Sequence, residues 1–277
     1  MITNITGDIF FMNWHKLSPA ILTLLVFLLA QGVGALLLIL FGMHPEQTPI
    51  TVFSLILMAV DIIAVLGCYF LLKNIRPVTA SDIASIQWRP GLLAIAAGIL
   101  GAFSTSIITE TVELPDIMQQ MSLSMSHNAI GLLTLAIVGP ITEELLFREA
   151  IEGEMLRRGA SPWTAILVSA AAFSIAHFNL AQGLYAFPLA IIFGIIYYKT
   201  GNILLTSLLH IINNSIVALQ LYTFGEEAND LTYADLLGGP ARAYVLMSLC
   251  SILCLVLIWY FWRCYPSDEK QQKKALP

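Results

Sequence analysis

Charge is what this chain lacks most. Charged residues fill 11% of its 277 positions and apolar ones 58%, where a soluble domain carries roughly 25% charge. With a mean hydropathy of +0.81, that excludes an ordinary soluble globule. Disulfide chemistry is equally thin. The four cysteines, Cys68, Cys250, Cys254 and Cys264, form no CxxC pair and fall in apolar stretches, so they read as small buried apolar residues rather than a secreted framework. Two common hydrolase signatures are also missing, since there is neither GxSxG nor HExxH. No repeat or low-complexity tract stands out.

What is present is a series of apolar runs about 17–25 residues long, enough to cross a hydrocarbon core of about 30 Å. They place spans at 18–42, 50–73, 90–109, 127–147, 162–178, 183–199, 202–222 and 242–264. The expected fold is all-α, a polytopic membrane helix bundle of about eight transmembrane helices. The first run exceeds the 7–15-residue core of a cleaved signal peptide and reads as a retained helix. The chain divides into helices and an outer loop over 1–126, a core over 127–222, and an outer loop, last helix and tail over 223–277.

Orientation follows from the basic residues. Lys16; Lys73, Arg76 and Arg89; Arg157 and Arg158; Lys199; and Arg263, Lys270, Lys273 and Lys274 fall in alternate connections. The other connections carry Glu46; Glu110, Glu113 and Asp116; and Glu226, Glu227, Asp230 and Asp235, with Arg242 their one basic residue. Both termini are therefore expected in the cytoplasm. The segment Glu110–Ser126 reads as a short surface helix or an ordered loop, Phe224–Gly239 as a solvated loop and Ser267–Pro277 as a loose tail.

Against this background, Glu143, Glu144, Arg148, His177, His210 and Asn214 sit inside apolar helices. A charged side chain at the bilayer centre costs at least about 2.5–3.5 kcal/mol, and such groups are functional candidates by default. Pro140 is expected to kink or restart its helix, leaving a positive dipole end near the two glutamates. Glu144 and Arg148 are spaced for an i,i+4 pair, with Glu143 about 100° away. If this helix runs on to about Arg158 and turns at Gly159-Ala160-Ser161, Glu143 and His177 lie equally far from the turn. The part from Glu149 to Arg158 then projects as a solvated charged face. The turn at Thr200-Gly201 brings His210 to a similar depth, and Asn214 shares its face.

Other polar residues read as structural. Asp61, in span 2, is a protonated or hydrogen-bonded acid ahead of a proton carrier. The cluster Ser104–Ser106 bonds its own backbone or a neighbouring helix, Asn213 bonds between helices, and Phe147 and Phe173 pack.

A buried glutamate beside a histidine can take a proton from water, and His210 with Asn214 can donate to an oxyanion. That suffices for amide hydrolysis without a cofactor. Zinc on Glu143, His177 and His210 is the alternative, less favoured because it needs both histidines as ligands.

These residues fall into three short motifs: Glu143-Glu144-Leu145-Leu146-Phe147-Arg148, Phe173-Ser174-Ile175-Ala176-His177 and His210-Ile211-Ile212-Asn213-Asn214. In order and spacing they resemble the EExxxR, FxxxH and HxxxN/D motifs of the CAAX-protease and bacteriocin-processing (Abi) family of intramembrane endopeptidases. The turn Tyr197-Tyr198-Lys199-Thr200-Gly201-Asn202 is similar too, and the likeness covers roughly 130–222. It implies that Glu143 activates water with help from His177, that Glu144 and Arg148 shape the site, and that His210 and Asn214 bind the oxyanion. It further implies a bacterial member in the cytoplasmic membrane acting on a peptide or membrane-protein substrate, with no nucleic-acid partner. Two competing functions are a non-catalytic immunity or scaffold protein and a proton-coupled transporter. The sequence leaves substrate and oligomeric state open.

Overall fold

The computed structural model describes residues 14–43, 48–112, 114–225, 227 and 232–265. Eight helices match the eight predicted spans: α1 Trp14–Leu40, α2 Ile50–Leu72, α3 Trp88–Glu110, α4 Ala129–Arg157, α5 Pro162–Ala176, α6 Leu180–Thr200, α7 Ile203–Phe224 and α8 Pro240–Cys264. All but α5 are long and apolar enough to cross a membrane, and α5 has 15 residues. No strand occurs among the described residues. The protein is an all-α integral membrane bundle.

Local chemistry explains where the helices start. Asn128 accepts from the amides of Ile130 and Gly131 at the head of α4, Ser161 caps α5 ahead of Pro162, and Asn202 accepts from Leu204 and Leu205 at the head of α7. Each is a side-chain oxygen meeting amides that the first helical turn leaves unpaired. Gly201 closes α6 with φ +61, a left-handed conformation that glycine adopts without penalty. The reversal between α6 and α7 thus takes two residues. Asn202 also donates to Asp82 O at 2.7 Å and to Ser85 Oγ at 2.9 Å, pinning this turn to the short helix Ala80–Ala84.

Two expectations about α4 are corrected. The helix does not restart at Pro140. A π-helical turn over Thr134–Val138 precedes it, in which Gly139 N–H bonds back to Thr134 O, and the backbone stays helical through Val138 and Gly139. A wide turn removes the α-helical bond that a proline cannot make. In that register the next bond would run from residue 140 to Leu135 O, and proline has no N–H to give. Asn214 supplies it instead, its Nδ2 lying 3.1 Å from Leu135 O. A missing donor on α4 thereby becomes a fixed contact to α7.

The second correction concerns the far half of α4, read as a solvated projection. It is packed inside the bundle, with Glu149 2% and Glu152 0% exposed. Leu145–Gly153 is again π-helical. Glu149 accepts from Arg76 Nε at 2.8 Å, from Arg157 Nη1 at 2.7 Å and from Tyr197 Oη. Hydrogen bonding to Glu149 raises Arg76 above its ordinary range, against the opposing effect of its partial burial. Asn74 ties the same corner to Thr23 and to Ala150 O. Arg157 and Arg158 both hold Glu154, at 2.8 and 2.7 Å. Glu149, Glu154, Arg157 and Arg158 pair with each other and with the loop after α2.

At the opposite end, Gln119–Ser126 is a helix that buries Leu123 and Met125. Part of the loop read as solvated is a second short helix, Tyr233–Leu237, attached to α3 through Tyr233 N to Glu110 Oε2 at 2.9 Å and Phe103 against Tyr233 at 4.5 Å. The serines behave as expected, Ser106 bonding its own helix and Ser104 reaching Met247 O on α8. Cys68 and Cys254 are buried, but Cys264 is exposed, contrary to the uniform burial expected. Glu46, Glu113, Glu226, Asp230, Lys270, Lys273, Lys274 and the tail from Ser267 lie outside the described residues.

Candidate active site

Four of the six candidate residues meet directly. His210, 4% exposed on α7, lies between the two glutamates of α4: Nδ1 is 3.0 Å from Glu144 Oε1 and Nε2 is 3.4 Å from Glu143 Oε2. Glu144 is closed off from solvent and faces Arg148 Nε at 3.4 Å, while the Glu143 side chain is 29% exposed. The spacing expected of the two acids holds: Glu144 faces Arg148, and Glu143 points elsewhere and is reachable. An ionised carboxylate only accepts hydrogen bonds, so Nδ1 of His210 is the donor toward Glu144. This contact joins residues 66 positions apart and is where the α4–α5 and α6–α7 hairpins were expected to converge.

Arg148, 0% exposed, has its guanidinium 4.8 Å from the Phe173 ring and 5.7 Å from Phe193. Such cation–π contacts are worth about 2 kcal/mol when desolvated. Phe173 does more than pack. Its ring also lies 4.7 Å from His177, 5.6 Å from His210 and 5.2 Å from Phe147, which makes it the hub of the aromatic shell. Ser169 holds the α4 backbone from α5 by donating to Phe147 O at 2.6 Å.

His177 and Asn214 join through intermediaries. His177 is the first residue past α5, with Nδ1 2.8 Å from Phe173 O. A carbonyl can only accept, so Nδ1 carries the proton and a neutral ring leaves Nε2 as an acceptor. The following Phe178 has φ +51, a left-handed conformation that costs a bulky residue of order 1–3 kcal/mol. Asn214 spends one amide hydrogen on Leu135 O and accepts from Asn213 at 3.0 Å. Asn213 in turn takes the hydroxyl of Tyr185 at 2.8 Å, the interhelical role expected of it.

Gln31, which no motif singled out, donates to Asp61 at 2.9 Å. Asp61 is thus hydrogen-bonded, and its carboxylate lies within electrostatic reach of Glu143. An amide and an acid facing each other from two apolar helices were the signal for this pair. Among the described residues, no three histidine, cysteine, aspartate or glutamate side chains are grouped to hold a metal ion.

A membrane bundle with two glutamates, an arginine and a histidine joined in its interior defines a class, that of integral membrane proteins with a polar site inside the helices. The family follows from comparison. A family model described as type II CAAX prenyl endopeptidase Rce1-like matches residues 125–216, the stretch that carries all six residues. Over this core, a third of its length, the chain is similar to the CAAX-protease (Abi) family of intramembrane endopeptidases. No curated protein and no solved structure matches it.

Proposed function

We propose that the protein hydrolyses a peptide bond with a water activated by Glu143. The observation that carries this is the His210 bridge, which leaves one acid reachable and locks the other in place. Glu143 takes a proton from water as the water oxygen attacks the scissile carbonyl carbon. The carbonyl oxygen becomes an oxyanion. When the carbon–nitrogen bond breaks, Glu143 returns the proton to the leaving amine. His177, with Nε2 as acceptor, helps to orient the water.

A His210 ring protonated at both nitrogens keeps Nδ1–H on Glu144 and offers Nε2–H to the oxyanion, alongside the second amide hydrogen of Asn214. Each such donor is worth about 2.7–4 kcal/mol in a water-excluded site. Glu144 and Arg148 set the position of His210. On this reading the protein needs no cofactor.

The basic end of the bundle, with Arg76, Arg157 and Lys199, is the cytoplasmic side by the positive-inside rule, so both termini and the water entry face the cytoplasm. We place the protein in a bacterial cytoplasmic membrane. Its substrate is a peptide or membrane protein. A CAAX prenyl substrate, after the description of the matching family model, is one candidate within that class.

The test is to compare peptide termini in membranes containing wild type or Glu143→Gln. Termini that appear only with wild type support the reading and name a substrate. Identical termini with an intact phenotype overturn it in favour of an immunity or scaffold role. A transport defect without altered termini points to a proton-coupled transporter.

A further inference from the structure

The lower half of α4 holds a buried acid that the reaction above does not use. Glu152 follows Arg148 by four residues, as Arg148 follows Glu144, so all three lie on one side of the helix. All three are 0% exposed. Neither oxygen of Glu152 has a hydrogen-bond partner in the protein, nor does Nε, Nη1 or Nη2 of Arg148, nor Oε2 of Glu144. Yet the charges act on one another: Arg148 attracts the Glu152 carboxylate, while Glu144 and Glu149 repel it less strongly.

The neighbouring helix makes room for this carboxylate. A Cβ placed on Gly194 of α6 would stand 2.9 Å from Glu152 Oε2 and 3.0 Å from Ile166 Cγ2. Glycine at this position lets the carboxylate lie against the α6 backbone. By contrast Glu149, three residues earlier, is met by two arginines and a tyrosine.

Buried polar groups are satisfied almost without exception. Opposite charges that face each other without touching, shut off from bulk solvent, are joined by ordered water making about three hydrogen bonds. We infer that Arg148 and Glu152 frame an internal water site. Its solvent bridges the guanidinium to the Glu152 carboxylate, and Glu152 is a positioning residue. It holds Arg148 from one side as Phe173 and Phe193 hold it from the faces, and Arg148 then fixes Glu144 against His210. The site extends the polar line Glu143–His210–Glu144–Arg148 toward the basic end of the bundle.

Two measurements test this, and only the second rests on the proteolytic reading. The first is a crystal structure of the full chain in lipid at a resolution that shows ordered solvent. Water within hydrogen-bond distance of both Arg148 and Glu152 is expected. A direct Arg148–Glu152 pair, or a dry apolar contact between them, overturns the water site.

The second uses the substrate found from the terminus comparison, with Glu152→Gln, Glu152→Leu and Gly194→Ala. Glutamine holds water by its amide and should keep most of the activity. Leucine removes the polar partner, and alanine at 194 drives a methyl into the space with no change of charge. Both should lower kcat about 10-fold at unchanged KM, the cost of a small misplacement of a reacting group. Wild-type kcat in Glu152→Leu, or an equal fall of kcat and folded protein in all three variants, refutes the positioning role. If wild type cleaves nothing, proteolysis fails as a reading while the solvent structure still decides the water site.

Discussion

Glu144 and Glu149 lie on the same helix, five residues apart, and both are shut away from solvent, yet the protein treats them in opposite ways. Glu149 is saturated by Arg76, Arg157 and Tyr197, which join the loop after α2 and the end of α6 to α4. Glu144 has one close donor, His210, a weaker contact from the Thr206 side chain, and an arginine at 3.4 Å whose nitrogens lack hydrogen-bond partners in the protein. A carboxylate with every lone pair engaged is a fixed strut. One with capacity left over holds its neighbours in place while allowing a proton or a substrate to change the arrangement. The burial is the same, and the difference lies in how far the hydrogen-bonding capacity is used.

The largest way to sharpen that comparison is Glu143→Gln. Loss of the base should lower the cleavage rate by about 10²–10⁴-fold and leave the thermal unfolding temperature in nanodiscs unchanged, which a matched pair of rate and melting measurements checks. Next is Arg148→Met, which removes the cation facing the buried Glu144 and leaves His210 as its one close partner. It should cost about 3–5 kcal/mol in reversible unfolding and abolish cleavage. Adding Glu144→Gln should restore much of the stability and none of the activity. A double mutant as unstable as the single would mean that Glu144 is not the partner Arg148 serves.

The saturated cluster should respond differently. Arg76→Ala leaves Glu149 with Arg157 and Tyr197, so the expected loss is about 1–2 kcal/mol, that of one charge-assisted hydrogen-bonded contact. The cleavage rate should stay within about threefold, since surface changes of this kind do not reach the site. A rate loss as large as that of Arg148→Met would erase the distinction between the two clusters.

The smallest effect is expected at the loop that bears Arg76. Burial opposes ionisation of Asp82, but hydrogen bonds from the Thr79 hydroxyl and amide, with Arg76 nearby, hold its carboxyl below the ordinary value. A depressed carboxylate stabilises the fold above its unfolded pKa of about 3.9, and the contribution disappears as pH falls through the folded value. Thr79→Ala, removing the cap, should cost at most about 1 kcal/mol at neutral pH. The gap between mutant and wild type should close in acid.

Much of this was legible from residue order. Span positions follow from apolar runs of bilayer length. The pairing of Glu144 with Arg148 and the freedom of Glu143 follow from helical spacing. The meeting of His210 with the glutamates follows from counting residues back from the turns. Other features were hidden for identifiable reasons. Pro140 signals a break only if the backbone stays α-helical, and a π turn, which no residue pattern announces, carried the helix through. Glu149, Glu152 and Arg157 look like a solvated stripe because a string of charges looks the same whether its partners are water or other side chains. Arg76 and Tyr197, which decide the matter for Glu149, are 73 and 48 residues away.

The sequence by itself determined the solvent this protein lives in, the positions of its apolar helices and the chemical groups brought into the membrane. Those are consequences of local composition and of helical periodicity, which act within a few turns. Only the tertiary structure decided which buried acid is satisfied and which is left with capacity. That depends on donors supplied by other helices, and their alignment to within an ångström is set by packing rather than by any property of the segment that carries the acid.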